Sequence, residues 1–468
     1  MAKGKRTLLY VLLGIVLFFV LAFGVVLFMG WRWYSSHRDA AQEQVAKVEA
    51  AGESLEITHY VPETLPPEQN GADELQQAMD LLRAAQVSVA YELAEVNCEP
   101  GEEHEEGVVF TDIDGADSTQ RVANLIQECE NQGVFEKLEN ALATDGIVFD
   151  LDYSNPVAMK MSHLTHLREF SRLLAADARL AAAQGDPARY GKRVRQGFEL
   201  ISKVQDEPTL ISCLVSLAMS NIAVSAVELD GRTFETGLSQ LDDGQLEAVQ
   251  KVVGALDLKA MFERAMLSER CFGNFIFDKM LTDPDYLNEI AGDMRQARSH
   301  IPSFLMKFLL SADREYYLEK MAHYVELAEK PYYEVREQLE GADAQDRPKF
   351  AFISALVLPA LSNAFTRSTE CLARLRCTNI ALELLKASNR SRLGSTEDLL
   401  DLTGFEEERL TDPFTGERLK AVLRKADDGG ALLVVYSVGE NASDDGGDLT
   451  KRETSPTPDI GIELAVGK

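Results

Sequence analysis

Two histidines and a glutamate have the spacing closest to that of a metal site. His163, His166 and Glu169 stand at i, i+3 and i+6, so on a helix their side chains nearly share one face. Imidazole and carboxylate groups are common transition-metal ligands. Because no further ligand accompanies them, ordinary polar or interface histidines are the favoured interpretation, and a metal site is the alternative.

A run of carboxylates forms the second candidate. Its glutamates occur without an intervening Lys or Arg and are Glu92, Glu95, Glu99, Glu102, Glu103, Glu105 and Glu106. Calcium or a cationic partner could bind there, but calcium loops space their oxygen ligands regularly, and this run does not. A solvated acidic loop is therefore the favoured interpretation.

Motifs of the common enzyme classes do not occur in the sequence. It contains no G-x-S-x-G, no H-E-x-x-H, no Walker loop and no dinucleotide-binding glycine pattern. We therefore predict a protein that is not an enzyme. An uncharacterised hydrolase, whose pocket joins His163, His166 and acids from other helices, is the alternative.

The six cysteines indicate neither a zinc ribbon nor a thioredoxin-type site, because no C-x-x-C pair occurs among them. Cys98 and Cys129 flank the acidic run and could form a disulfide in an oxidising compartment. Isolated buried thiols on helices are predicted for the other four, which are Cys213, Cys271, Cys371 and Cys377.

The overall charge excludes two classes of partner. The chain has 468 residues and a formal net charge of −29 at pH 7. Nucleic acid binding needs a basic surface that neutralises phosphates, and a broad docking face on anionic lipid needs one as well. The 46% apolar content is enough for a sizeable core and for two folding units.

One segment is long and apolar enough to cross a membrane. The stretch from Thr7 to Gly30 has 24 residues and no charged side chain, and as a helix it would be roughly 36 Å long, more than the ~30 Å hydrocarbon core. Trp31, Trp33 and Tyr34 follow it as an aromatic belt. The apolar run exceeds a signal-peptide core, and no small-x-small cleavage site follows, so we predict a retained single-pass anchor.

Cations predict on which side of the membrane the body lies. Lys3, Lys5 and Arg6 precede the span without an acid among them. This favours a cytoplasmic N-terminus at the inner (cytoplasmic) membrane and an exported body. The cations between positions 32 and 47 nearly balance the first three, so the opposite orientation is the alternative.

Apolar residues recur at the helical period through most of the chain, so the fold is predicted to be mostly α. Helices are expected at 73–96, 159–184, 188–204, 209–229, 256–280, 312–339 and 349–389, with Asp242 and Asp243 capping a further one and Pro359 bending the last. Gly185-Asp186-Pro187 should end one helix and cap the next. The helix at 209–229 is apolar nearly all round and should lie in the middle of a bundle.

The last hundred residues change to turn and strand patterns. The turn TDPFTG at 411–416 places Pro and Gly as turns require. Strands are predicted at 418–424 and 431–438, joined as a hairpin, with an edge strand at 459–464. We therefore expect a small α+β module with a short antiparallel sheet after the helical body.

The C-terminal segment resembles the head of the major type II secretion pseudopilin. The resemblance rests on DPFTGERLKAVLRKADDGGALLVVYSVGENASDDGGD, then DIGIEL, and on the preceding helix end NIALELLKASNRSR. The chain as a whole also resembles a family of bacterial single-pass membrane proteins of unassigned activity. That resemblance rests on the helical block LLAADARLAAAQGDP, which precedes the C-terminal segment. The chain lacks the pilin leader and the Glu of the mature pilin helix, so the resemblance does not imply assembly into a pseudopilus.

The pseudopilin loop binds calcium, so the resemblance implies a calcium ion in the corresponding loop here. The candidate ligands are Asn441, Asp444, Asp445, Asp448 and Asp459. Calcium takes about six to eight oxygen ligands on a loop able to wrap, and two glycines at 446 and 447 supply a tight turn. Asn441 stands where the family usually has an aspartate, and a solvated acidic turn without metal is the alternative.

Together these features predict a membrane-anchored, exported, non-enzymatic structural or interaction module of the cell envelope. An adaptor that contacts secretion or pilus-like machinery through the C-terminal head is the alternative. The expected segments are a cytoplasmic tail and anchor at 1–34, a stalk and Pro-rich linker at 35–71, an α-helical body at 72–345, and a long helix with the pseudopilin-like module at 346–468.

Overall fold

The computed structural model describes residues 2–97, 116–228, 237–283, 286, 303–344, 348, 350–389, 399–425, 430–450 and 459–466. Their secondary structure is mostly α-helical, with a small three-stranded antiparallel sheet near the C-terminus. This confirms the fold class that the apolar periodicity predicts. Most of the acidic run and Cys98, with which Cys129 could form a disulfide, lie outside the described residues.

Helices and strands are numbered here in chain order. The helices are α1 (Ala2–Ala50), α2 (Ala72–Asn97), α3 (Ala116–Asn131), α4 (Val134–Leu142), α5 (Ser162–Ala183), α6 (Pro187–Val204), α7 (Leu210–Val227), α8 (Asp243–Gly254), α9 (Leu258–Thr282), α10 (Ser303–Ala328), α11 (Tyr332–Ala344), α12 (Ser354–Asn389) and the short α13 (Glu407–Leu410). The strands are β1 (Lys420–Lys425), β2 (Ala431–Ser437) and β3 (Ile460–Val466). Most predicted helices and the three predicted strands lie within a few residues of these bounds.

The chain divides into two compact units, each built from separate stretches of sequence. Unit 1 comprises Met1–His59, Leu267–Leu327 and Gly341–Leu361. Unit 2 comprises Tyr60–Met266, Ala328–Glu340 and Ser362–Lys468. The four consecutive segments expected from the sequence follow chain order instead and stay a prediction.

Helices α5, α6 and α7 pack on one another in unit 2. The turn between α5 and α6 has the form that the sequence predicts. Gly185 is left-handed, with φ 69°, and the Asp186 carboxylate accepts a hydrogen bond from the Arg189 N–H, with Pro187 in the first turn of α6. The capping carboxylate pairs an N–H group that helix geometry leaves without a partner.

Helix α7 is mostly buried, but part of one face is exposed, which corrects the expectation that it is surrounded on all sides in the middle of a bundle. Leu217 is buried, whereas Ile211 is 59% exposed and Leu214 is also exposed. By length and hydropathy alone α7 could cross a membrane, since its mean hydropathy is 2.0, but 61% of it is buried. The core helix of a soluble protein can be as long and as apolar as this, so α7 is weak evidence for a membrane span. The anchor at 7–30 is a separate segment and stays a prediction.

The predicted helix at 312–339 is two helices. α10 ends at Ala328, and α11 begins at Tyr332, directly after Pro331. Proline has no backbone N–H, and its ring clashes with the preceding turn of a helix. The apolar residues recur at the helical period on both sides of Pro331, so the pattern alone predicts one continuous helix. Pro359, in contrast, lies inside α12, as predicted.

Strand β2 is the central strand of the sheet. β1 and β3 both pair with it antiparallel, with Lys420 opposite Tyr436 on one side and Ile460 opposite Ser437 on the other. Helix α12 packs against β3, since the Cys377 sulfur lies 3.9 Å from the Ile460 carbonyl oxygen. A two-stranded hairpin alone is marginal in water, so the third strand and the helix stabilise it.

Unit 1 is held together by aromatic and polar contacts. The predicted stalk after residue 34 is the continuation of α1, and its Trp33 ring meets Phe350 edge to face, with centroids 5.9 Å apart. Asp313 of α10 caps α12 by accepting hydrogen bonds from the Ile353 and Ser354 N–H groups at 2.8 and 3.3 Å. A carboxylate from another helix thereby caps the N-terminus of α12.

Candidate functional site

Asp412 joins the turn before β1 to the end of β2. Its carboxylate is 1% exposed and accepts hydrogen bonds from the Phe414 N–H at 2.9 Å, the Ser437 hydroxyl at 2.8 Å and the Val438 N–H at 2.9 Å. Gly416, with φ 75°, donates its N–H to the Asp412 carbonyl at 2.9 Å. The Asp-Pro turn therefore also supplies the acceptor that holds the hairpin in place.

The acidic loop after β2 is closed by Asp459. The two oxygens of its carboxylate accept hydrogen bonds from the Asp445 N–H at 3.3 Å and the Gly447 N–H at 2.5 Å. Burial raises the pKa of Asp459, although these two N–H groups act in the opposite direction. Gly447 has φ 80°, and a Cβ there would lie 2.6 Å from the Arg424 guanidinium, so this position requires glycine.

Strand β1 directs two cations at the same loop. Lys420 Nζ lies 2.9 Å from the Asp444 carboxylate, which also accepts a hydrogen bond from the Tyr436 hydroxyl at 3.1 Å. The Arg424 guanidinium donates to the Gly446 carbonyl. The hydrogen bond from Lys420 lowers the pKa of Asp444, while burial and the neighbouring Asp444 raise the pKa of Tyr436 to about 12.

The candidate calcium ligands all have partners within the protein. Besides the contacts of Asp444 and Asp459, the Asn441 amide donates to Asp445 at 2.9 Å, and the Thr450 N–H donates to Asp448 at 3.0 Å. In the part of the chain that the structure describes, no group of three or more His, Cys, Asp or Glu side chains is placed to hold a metal ion. N–H and ammonium donors hold the oxygens that a cation needs, so a calcium ion would have to displace them, and calcium binding stays a prediction.

Removal of the competing ammonium tests that prediction. We expect the Lys420→Gln variant of the full chain to show a larger calcium-dependent rise in melting temperature than the wild-type chain. Ligand binding stabilises the folded state by RT ln(1 + [L]/Kd), about 2.7 kcal/mol at a hundred times Kd. Thermal unfolding followed in millimolar calcium and in chelator measures the rise.

The combined Asp445→Ala and Asp459→Ala substitutions are the control for this experiment. They should abolish the calcium-dependent rise in both the wild-type and the Lys420→Gln background, because they remove candidate ligands. Superimposable melting curves in calcium and in chelator, for both the wild type and Lys420→Gln, would rule out the calcium site.

The two histidines of the first candidate contact different carboxylates. His163 Nε2 lies 2.8 Å from Glu207 Oε2, and His166 Nδ1 lies 3.3 Å from Glu169 Oε2. Glu207 also accepts a hydrogen bond from the Ser212 hydroxyl. A catalytic serine needs an imidazole beside its hydroxyl, whereas here the carboxylate stands between them. His163 and Ser212 therefore do not form the nucleophile and base of a hydrolase.

The cysteines that the structure describes are buried thiols. Cys213, Cys271, Cys371 and Cys377 lie on α7, α9 and α12, as predicted, and Cys129 lies on α3. Burial raises the pKa of Cys129, Cys213, Cys271 and Cys371 to about 12. Because the thiolate is the nucleophilic form, these groups are poorly suited to catalysis at neutral pH.

Pattern reasoning misses Arg376 of α12, which lines two neighbouring cavities of unit 2. Its guanidinium is half-buried, and its Nη1 donates a hydrogen bond to the Thr411 carbonyl at 2.6 Å. The signal available in the sequence is a cation between the apolar residues Leu375 and Cys377.

Comparison with known proteins does not place the chain in a family. No protein-family model matches the chain, and no curated protein and no solved structure matches it either. The resemblance of the C-terminal segment to the pseudopilin head therefore stays a prediction that rests on the sequence.

Proposed function

We propose that the chain is a membrane-anchored protein of the cell envelope whose exported body is a non-enzymatic structural or interaction module. The observation that carries this proposal is a set of large apolar side chains exposed along α1. They are 49–67% exposed and comprise Leu17, Phe18, Leu21, Val25, Leu27, Phe28, Met29 and Trp31. An extended exposed apolar surface is typical of contact with lipid or with another protein, and the stretch from Thr7 to Gly30 is long enough to span a bilayer.

A role in binding rather than catalysis is supported by how the reactive side chains are engaged. His163 pairs with Glu207, which also holds the Ser212 hydroxyl. The described cysteines are buried. The net charge of −29 favours partners with a basic surface over nucleic acid or anionic lipid.

The C-terminal head, residues 399–466, is the part that we propose as an adaptor, after its resemblance to the pseudopilin head. The three strands, the Asp412 turn and the glycine-rich loop all fall within the segment that carries the resemblance. Its attachment to α12 through Cys377 and Arg376 supports a rigid module that presents its loops to a partner.

The proposed topology predicts that protease added to spheroplasts degrades the body of the chain. The cations of the N-terminal tail keep that tail in the cytoplasm, so the body lies on the accessible side. Immunoblotting of the body before and after lysis measures its protection. Replacement of Lys3, Lys5 and Arg6 by Gln should protect part of the body, because it removes the charge bias. A wild-type body that survives until the cells are lysed would show the opposite orientation.

A further inference from the structure

Unit 2 contains a cavity of about 360 Å³ between α9, α11, α12 and the turn before β1. Its walls are largely apolar and include Leu258 and Phe262 of α9, Phe365 of α12, and Pro413 of the turn. The rings of Phe262 and Phe365 meet edge to face, with centroids 4.8 Å apart. Walls of this kind accept an aromatic or branched apolar group.

The charged residues that line this cavity are mostly cationic. Lys259, Lys330 and Arg376 line it together with the carboxylate of Glu408, and Lys259 also pairs with Glu263 at 3.6 Å. The Arg376 guanidinium, whose hydrogen bond goes to a neutral carbonyl, favours an anionic ligand. An apolar molecule with a single acidic group therefore matches both the walls and the charge.

Arg376 is the cation best placed to hold that acidic group. Among the described residues, its guanidinium donates one hydrogen bond, to the Thr411 carbonyl, and forms no ion pair with a carboxylate. Burial lowers the pKa of Arg376, although the charge of Glu408 acts in the opposite direction. The remaining N–H donors of a guanidinium match the two oxygens of a carboxylate.

Asn379 supplies a second polar group in the adjoining cavity. This smaller cavity, of about 160 Å³, shares Leu258, Leu372 and Arg376 with the first. The Asn379 Oδ1 atom is buried and accepts no hydrogen bond from the described protein. A buried acceptor is unfavourable unless a bound molecule supplies a donor. Because residues i and i+3 are neighbours on a helix, a ligand held by Arg376 is within reach of Asn379.

We propose that these two adjoining cavities bind a carboxylate that carries an apolar side group and an adjacent N–H donor. This is the chemistry of an N-acylated aromatic amino acid and of the carboxyl end of an apolar peptide. The carboxylate pairs with Arg376, the N–H donates to Asn379 Oδ1, and the apolar group fills the larger cavity beside Phe262 and Phe365. The site is independent of the membrane anchor.

Isothermal titration of the purified full-length chain with three probes tests this site. The probes are N-acetyl-L-phenylalanine, its uncharged carboxamide, and 3-phenylpropionate, which has the carboxylate but no N–H. We expect the N-acetyl acid to bind about tenfold more tightly than the carboxamide, since hydrogen bonds to charged groups are the stronger ones. We also expect it to bind more tightly than 3-phenylpropionate.

Variants on α12 assign each preference to one residue. Arg376→Gln should abolish the preference for the acid over the carboxamide, and Asn379→Leu should abolish the preference over 3-phenylpropionate. Leu372→Trp, which places a bulky ring at a residue that lines both cavities and keeps Arg376, should abolish binding of the probes. Arg367→Gln is the matched control, because Arg367 lies on the same helix, is exposed, pairs with Glu370 and does not line either cavity.

The outcomes decide between the proposal and a merely structural arginine. Equal affinity for the acid and the carboxamide, an undiminished preference in Arg376→Gln, or no binding of any probe would overturn the proposal. The tetrapeptide Ala-Ala-Ala-Phe separates the two sources of the same chemistry. Tighter binding than that of N-acetyl-L-phenylalanine identifies the end of a polypeptide as the ligand, and weaker binding identifies a free acyl amino acid.

Discussion

Leu217→Asp is expected to unfold the helical part of unit 2. Leu217 is 2% exposed, and its carbonyl oxygen lies 3.7 Å from the Cys371 sulfur of α12. A carboxylate at this position would be buried without a cationic partner, which costs several kcal/mol, a large part of a typical stability of about 5–15 kcal/mol. Urea unfolding followed by circular dichroism measures the loss.

Ile211→Asp is the matched control for this substitution, because it places the same side chain on the same helix. Ile211 is 59% exposed and lies in the first turn of α7, where a negative charge interacts favourably with the helix dipole. We expect its effect to stay within about 0.5 kcal/mol. Equal unfolding midpoints for Leu217→Asp and Ile211→Asp would show that α7 is not packed as described.

Asp412→Ala is expected to detach the hairpin from the turn before β1, at a cost of about 3 kcal/mol or more. The substitution removes the acceptor of three hydrogen bonds and leaves two buried donors, the Ser437 O–H and the Val438 N–H, without an acceptor. Each buried donor left unpaired costs about 1–3 kcal/mol. Chemical denaturation gives the free energy of unfolding, and hydrogen exchange of the β2 amides reports the local loss.

Asp401→Ala is the comparison for the Asp412 prediction. Asp401 also belongs to the head and pairs with Arg418 at 2.9 Å, but its side chain is 62% exposed. Exposed ion pairs contribute about 0–1 kcal/mol. Asp412→Asn should fall between the two alanine variants, because the amide keeps one acceptor oxygen and turns a donor toward a donor. A loss from Asp412→Ala no larger than that from Asp401→Ala would contradict the role assigned to Asp412.

Local patterns in the sequence determined most of the helices and strands. The break at Gly185-Asp186-Pro187 and the cap at Asp242 depend on groups within a few residues of one another. The same holds for the apolar stripe of α5, because helical geometry places residues i, i+3 and i+4 on one face. The glycine-rich turn at 446 and 447 follows from the positive φ values that glycine adopts readily.

The tertiary structure alone decided which side chains meet. The spacing of His163 and His166 suggests that they could share one metal ion, but His163 instead contacts Glu207, 44 residues further along the chain. Helix α7 is apolar nearly all round, but neighbouring helices cover only part of its surface. Hydropathy shows that a helix face is apolar, and it does not show which element packs against that face.

The candidate sites, too, are formed by side chains that only the tertiary structure brings together. Arg376 meets the Thr411 carbonyl 35 residues further along the chain, and Lys420 meets Asp444 across the head. Hydrogen bonds and ion pairs act over about 3 Å in space between groups that are dozens of residues apart in sequence. Spacing along the chain therefore predicts which elements form, and only their packing determines which of these groups lie close enough to bind a ligand.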